Sequence, residues 1–123
     1  MPAPSITDVL ILSVGAVLGA TLRWLITVYA KAQNLTPYST TAINISGSFI
    51  LGVVTKLSSI SVLSPSLVLL LGTGFCGAYT TFSTFSVDVV TLINSAQYSQ
   101  ALALALVTNV LAIFAAFIGF AIV

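Results

Sequence analysis

The sequence predicts an all-α membrane protein with four transmembrane helices per subunit, the third broken in its middle. Three observations carry that prediction. Hydrophobic residues make up 59% of the 123 residues and charged residues 4%, whereas a soluble domain carries about a quarter of its residues as charges. The charges are Asp8, Arg23, Lys31, Lys56 and Asp88, so none lies between Lys56 and Asp88 or after Asp88. The apolar runs fall into four stretches of the roughly 20 residues that a hydrocarbon core requires, one of them longer and oddly polar at its centre. The chain is therefore expected to form a single four-helix membrane domain over residues 1–123.

The first helix is expected over residues 6–30. Thr7 or Asp8 is the expected cap, and an acid in the first turn suits the positive end of the helix dipole. The N-terminal MPAPSITDVL has no Lys or Arg before its apolar run, unlike a cleaved signal peptide, so this segment is expected to stay as a span. Gly15 and Gly19 have the small-xxx-small spacing that lets helix backbones approach, and packing is the expectation for them. Arg23 lies well past the middle of the span. A centred Arg facing lipid costs about 2.5–3.5 kcal/mol, which leaves two roles open. Arg23 either snorkels to the interface beside Trp24 or lines a water-filled vestibule and attracts anions.

Lys31–Pro37 (KAQNLTP) is a polar connector, and the second helix is expected over residues 38–57. Thr40, Thr41, Asn44, Gly47, Ser48, Leu51 and Gly52 share one side of it at helical spacing. Asn44 is the costly member, because an amide in hydrocarbon must find partners. It serves as interhelical glue or as a hydrogen-bonding position along an ion path. Leu57–Pro65 (LSSISVLSP) is a Ser-rich turn. The third segment is expected over residues 66–94, longer than a minimal span, and the fourth over residues 101–123, where Thr108 and Asn109 are the polar residues.

The third segment contains the stretch around which the chain is organised, Gly72–Ser86 (GTGFCGAYTTFSTFS). Gly72, Gly74 and Gly77 weaken helical order, and Thr80, Thr81, Ser83 and Thr84 place hydroxyls where lipid favours methyls. A break near Gly77, with an irregular centre over Gly74–Thr81, is the expectation. Irregular backbone persists in a bilayer only where it is buried in protein or lines a wet cavity. Carbonyls freed by a break are met by water, by side chains or by a monovalent cation. Phe82 and Phe85 follow at i and i+3. Core packing is the commoner use of that spacing, but ring edges carry positive potential and favour a passing anion. Hydroxyls, an amide and ring edges make a donor-rich, uncharged track, which suits a small hydrated anion that must also be released.

The inventory argues against catalysis. There is no His, the two carboxylates are far apart in sequence, and Cys76 is the sole cysteine. Metal clusters, Ser-His-Asp triads, carboxylate pairs and an intrachain disulfide lack their materials, so an enzyme is not expected. A net charge of +1 gives no footprint for nucleic acid. Lys31 and Lys56 fall in loops on opposite sides, so the positive-inside rule has almost no imbalance to act on. Insertion both ways round, and an antiparallel dual-topology homodimer, follow as a hypothesis.

In GAVLGATLRW (Gly15–Trp24), TAINISGSFILG (Thr41–Gly52) and above all GFCGAYTTFSTFS (Gly74–Ser86), the chain resembles the small bacterial fluoride channels of the Fluc (CrcB) type over essentially its whole length. The resemblance implies a multi-pass protein of the cell's inner, plasma membrane that lets fluoride leak out of the cytoplasm and so reduces fluoride toxicity. It implies an antiparallel homodimer with two pores and a structural sodium ion at its centre. By motif position, the backbone carbonyls of Gly77 and Thr80 would hold the sodium. Phe82 and Phe85 would be the pore rings, Asn44 the pore amide and Arg23 the vestibule cation. Thr81, Ser83 and Thr84 would add hydroxyls near the break, and Asn109 would stand for the fourth helix, where the match is poor. Two positions depart from the family pattern: Ala78 where a second Gly is frequent, and Asp88 where a Glu is usual. The alternatives are a small four-helix drug or cation exporter working as an inverted dimer, and a non-transporting assembly subunit. The first needs an intramembrane carboxylate for proton exchange, and no Glu exists. The second leaves the hydroxyl-rich break unexplained.

Overall fold

The computed structural model describes residues 3–123, except for the side chain of Pro37. Helix α1 spans Ile6–Ala32. Its N-cap is Ser5, which corrects the expected cap at Thr7 or Asp8. The Asp8 N–H donates to the Ser5 hydroxyl at 3.1 Å, and the Ser5 N–H donates to the Asp8 carboxylate at 2.9 Å. Asp8 thus closes a capping box from the third helical position, satisfying two N-terminal donors reciprocally. Helix α2 spans Thr36–Ser59, two residues longer at each end than expected. Its last turn includes Lys56, expected in a loop, whose Nζ lies 5.2 Å from the centre of the Phe120 ring. That distance is within reach of a cation–π contact.

The third span, Pro65–Asn94, is composite. Helix α3 (Pro65–Val68) runs into a π-helix over Leu69–Cys76 and a last turn, α4 (Gly77–Tyr79). The chain then leaves helical geometry for two residues. Thr80 has φ −74° and ψ 156°, and Thr81 has φ −149° and ψ 121°. Helix α5 (Phe82–Asn94) follows. The break therefore lies at Thr80–Thr81, not at Gly77, which is helical at φ −62° and ψ −33°. Two adjacent β-branched residues favour extended backbone, and that preference outweighs the glycine's freedom. Helix α6 spans Tyr98–Ala121, shifted toward the N-terminus from the expected residues 101–123.

Three helices end in the same way. After α1, α2 and α5 the chain turns through Asn34, Ser61 and Ala96 at φ 58°, 59° and 58°. In each case the next residue's N–H reaches back to the helix: Leu35 to Ala30, Val62 to Leu57, and Gln97 to Leu92, at 2.8–2.9 Å. The N–H of the left-handed residue itself bonds one residue further on, as from Ala96 to Ile93 at 2.9 Å. These are Schellman closures, which satisfy carbonyls that the helix end leaves open. They are built here without glycine.

All four spans are long and apolar enough to cross a membrane, the architecture of a multi-pass membrane protein. Helices α1 and α3–α4 run parallel in close contact. A methyl at Gly15 would overlap the Leu70 carbonyl, and one at Gly19 the Phe75 carbonyl. Packing is thus the role of both glycines, as their spacing predicts. Helix α2 runs parallel to α6, joined by a 2.7 Å hydrogen bond between the Thr41 and Thr108 hydroxyls. Few large side chains are buried, Ile43 and Cys76 most completely, and apolar side chains of α1, α5 and α6 face outward. The chain has little interior of its own.

Candidate functional site

The centre of the molecule is built on a relationship between α2 and the break. When a helix stops, the N–H groups beyond it lose their carbonyl partners and must find others. The Thr81 N–H, which in an unbroken helix would close onto Gly77, donates instead to Asn44 Oδ1 at 2.8 Å. The Asn44 Nδ2 donates to the Thr81 carbonyl at 3.0 Å. The side-chain amide thus pairs with one extended residue as a neighbouring strand would. The Thr84 N–H, which would close onto Thr80, goes to Thr81 Oγ1 at 3.2 Å and caps α5. These two diversions release the carbonyls of Gly77 and Thr80 from the partners a continuous helix would supply. The Cys76 carbonyl, in contrast, accepts from both the Thr80 N–H at 3.0 Å and the Thr80 hydroxyl at 2.8 Å.

Other contacts fix the end of α4 against α2. The Tyr79 ring is buried and stacks on Phe75 at 5.5 Å between centroids. The Tyr79 hydroxyl lies 3.0 Å from the Ser46 hydroxyl, a tie between α2 and α4. Gly47 leaves room for the Thr80 methyl and the Tyr79 ring, which a Cβ would meet. Gly77, by contrast, has no atom within 4 Å of where a Cβ would stand, and it is exposed. No packing among the described residues requires a glycine there.

Beside the break lies a groove of about 240 Å³. Asn44 and Ser48 line it from α2, Thr80, Thr81, Phe82 and Phe85 from the third span, and Thr108 and Asn109 from α6. The structure therefore brings together Asn44, Thr80, Thr81, Phe82, Phe85 and Asn109. The two rings stand 5.9 Å apart at 42°. Phe85 is 8% exposed, whereas Phe82 is 78% exposed. Ser83 and Thr84 do not border the groove. Their hydroxyls lie 3.1 Å and 3.2 Å from Thr81 Oγ1, bracing the start of α5. Arg23 is half-buried on α1 and does not line the groove, while Trp24 beside it is 62% exposed. The Asn109 amide donates to the Ala105 carbonyl of its own helix at 2.7 Å.

No carboxylate or cationic side chain lines this groove. Its polar groups are hydroxyls and amides, and its apolar wall includes two phenyl rings. Such a surface can replace part of a small anion's water shell without holding the ion as a fixed charge would. Among the described residues no three His, Cys, Asp or Glu side chains cluster as metal ligands. The sequence does not by itself single out Ser48 or the Ser46–Tyr79 tie as parts of the site. Ser48 carries a legible signal all the same, because it shares a helical face with Asn44.

The model of the CrcB-like protein family (camphor resistance, CrcB) matches residues 10–120. Curated proteins of similar sequence are named as fluoride-specific ion channels. One from Ligilactobacillus salivarius is 42% identical over 108 residues, covering 87% of this chain and 91% of its own. Another from Listeria innocua is 42% identical over 112 residues, covering 89% and 92%. A third, from Acinetobacter baumannii, is 42% identical over 96 residues, covering 74% and 73%.

Proposed function

We propose, because this chain belongs to the CrcB-like protein family, that it is a fluoride-specific ion channel and not an enzyme. The observation that carries the proposal is the uncharged groove beside the helix break, where Asn44, the hydroxyls of Ser48 and Thr108, and the rings of Phe82 and Phe85 converge. Fluoride is small and strongly hydrated. A conducting site must offer it donors and ring edges in exchange for water, yet bind weakly enough to let it leave. Passive conduction would let fluoride leave the cytoplasm across the inner, plasma membrane and reduce its toxicity. The one carboxylate inside the third span, Asp88, does not border the groove, which is unsuited to proton-coupled export through it.

The functional unit in this proposal is an antiparallel homodimer of dual topology. The near balance of Lys31 against Lys56 supports it. Two copies meeting at Gly77 would bring four released carbonyls together, Gly77 and Thr80 from each, around a structural sodium ion. Such backbone oxygens suit sodium, and broken membrane helices bind it in this manner. In this reading Arg23, half-buried on α1, would be the vestibule cation. The test is efflux from liposomes reconstituted with purified protein. Fluoride is expected to leave far faster than chloride; equal rates, or no efflux of either, would reject the channel.

A further inference from the structure

One face of α2 carries Asn44, Ser48, Leu51, Thr55 and Ser58, residues at the alternating three- and four-residue spacing of a single helical stripe. Beyond the central groove, two further cavities open along this stripe. One of about 360 Å³ shares Leu51 with the central groove, and is bordered by Thr55, Ser58 and, across from them, Thr73 of the π-helix. It shares Ser58, Val68 and Thr73 with a larger one of about 710 Å³, which opens at the turn between α2 and α3 among Ser61 and Ser64. The two outer cavities adjoin, and Leu51 stands between them and the central groove, so the three follow one another along this face of α2 as a trough from the helix break to one end of the molecule.

The hydroxyls along it differ in how they are used. In lipid a hydroxyl must satisfy its proton, commonly on a carbonyl of its own helix. Ser13, Ser46, Thr55, Ser86 and Thr91 do so at 2.7–2.8 Å. Ser48, Ser58 and Thr73 make no such bond among the described residues, and each borders the trough. Thr21 and Thr27 on α1 are also without one but border none of these cavities. A free hydroxyl beside a cavity is satisfied by water. Among the described residues no charged side chain lines the trough, and Ser64 borders its mouth.

We infer that this trough is the water-filled approach by which a small anion reaches the central groove from the α2–α3 end, with Ser58, Thr73 and Ser48 as successive neutral donors. The inference rests on the channel proposal and deepens it, since it extends the path from Ser48 in the central groove to Ser58 and Thr73 beyond it. Neutral donors spaced along a wet trough hydrate a moving anion without trapping it, as conduction requires.

The test uses single cysteines in a Cys76→Ser background, which removes the native buried thiol. Ser58→Cys, Thr73→Cys and, as control, Thr21→Cys are reconstituted in liposomes and treated from both faces with a charged, water-borne methanethiosulfonate. Thiols at positions 58 and 73 are expected to react, and the attached group to slow fluoride efflux at least about tenfold. The control is expected to keep its efflux rate whether or not it reacts. Thiols at 58 and 73 that resist the reagent, or that react fully without slowing efflux, would overturn the inference while leaving the channel standing. Parent protein that passes no fluoride before treatment would instead reject the channel, and the approach with it.

Discussion

Asn44 and Thr81 are joined by two hydrogen bonds, amide to carbonyl at 3.0 Å and N–H to amide oxygen at 2.8 Å. The side chain of one helix thereby supplies what the interrupted helix lacks. Asn44 lines the central groove and also holds the break open beside it. Of its two amide hydrogens one is committed to Thr81 and the other is left to meet an ion or water.

Replacing Asn44 should accordingly damage structure and conduction together. Asn44→Leu leaves the buried Thr81 N–H and carbonyl without partners, at a cost of about 1–3 kcal/mol for each unsatisfied group. Thermal unfolding of purified protein should shift downward, and fluoride efflux should fall. A variant that loses efflux with its unfolding temperature unaltered would show that the clamp contributes nothing to stability.

The two rings should separate stability from conduction. Phe85 is 8% exposed and Phe82 is 78% exposed, so Phe82→Ile removes little packing within one subunit. If ring edges stabilise the ion at its barrier by about 0.5–1.5 kcal/mol, losing one should slow fluoride efflux roughly two- to tenfold. The Phe82 variant should do so with the smaller change in unfolding temperature. Unchanged flux in both Phe82→Ile and Phe85→Ile would remove the rings from the path.

The residues that are expensive in hydrocarbon are legible from the sequence alone. An amide at 44 and a run of hydroxyls after 80 demand partners, and the groove supplies them with one another. The four spans are legible because apolar length is a direct consequence of bilayer thickness. The exact break is not, because a glycine at 77 draws attention from the Thr80–Thr81 pair whose branched side chains favour extended backbone. The π-helix and the clamp are hidden for another reason. Both depend on contacts between distant segments, such as the 37-residue separation of Asn44 and Thr81. The Ser5–Asp8 box, by contrast, is present in the sequence as Ser-x-x-Asp.

The glycine-free Schellman turns offer a stabilising substitution. Ala96 holds φ 58°, a left-handed conformation that costs a residue with Cβ about 1–2 kcal/mol and glycine nothing, offset in part by glycine's larger entropy loss. Ala96→Gly is expected to add about 0.5–1 kcal/mol of stability, read as a higher unfolding temperature. Ala103→Gly, within α6, should lower it. The same sign for both would contradict the turn geometry.

Gly77 tests the proposed sodium site. It has helical dihedrals and nothing within 4 Å of a Cβ position, so Gly77→Ala should be tolerated by a single subunit and improve local helix propensity by about 1 kcal/mol. If two copies meet there around a cation, the added methyls crowd the meeting point. The dimer fraction on size-exclusion chromatography should then fall, and more sodium should be needed to restore it. A dimer fraction and sodium response equal to those of the parent would place the cation site elsewhere.

Asp88 is the remaining tension in the third span. Its Oδ2 is fully covered and has no hydrogen-bond partner among the described residues. A buried acceptor without a donor costs about 1–3 kcal/mol, and more when it carries charge. Asp88→Leu, close in shape and without polar atoms, should therefore raise the unfolding temperature. Asp88→Asn should raise it less, because the amide removes the charge but brings two donors of its own to satisfy. A fall in both variants would mean that Oδ2 has a donor from outside the chain, water or a second copy, since breaking a partnered buried charge costs about 3–5 kcal/mol. The sign of the shift thus reports whether this oxygen is left without a donor or is completed from outside the chain.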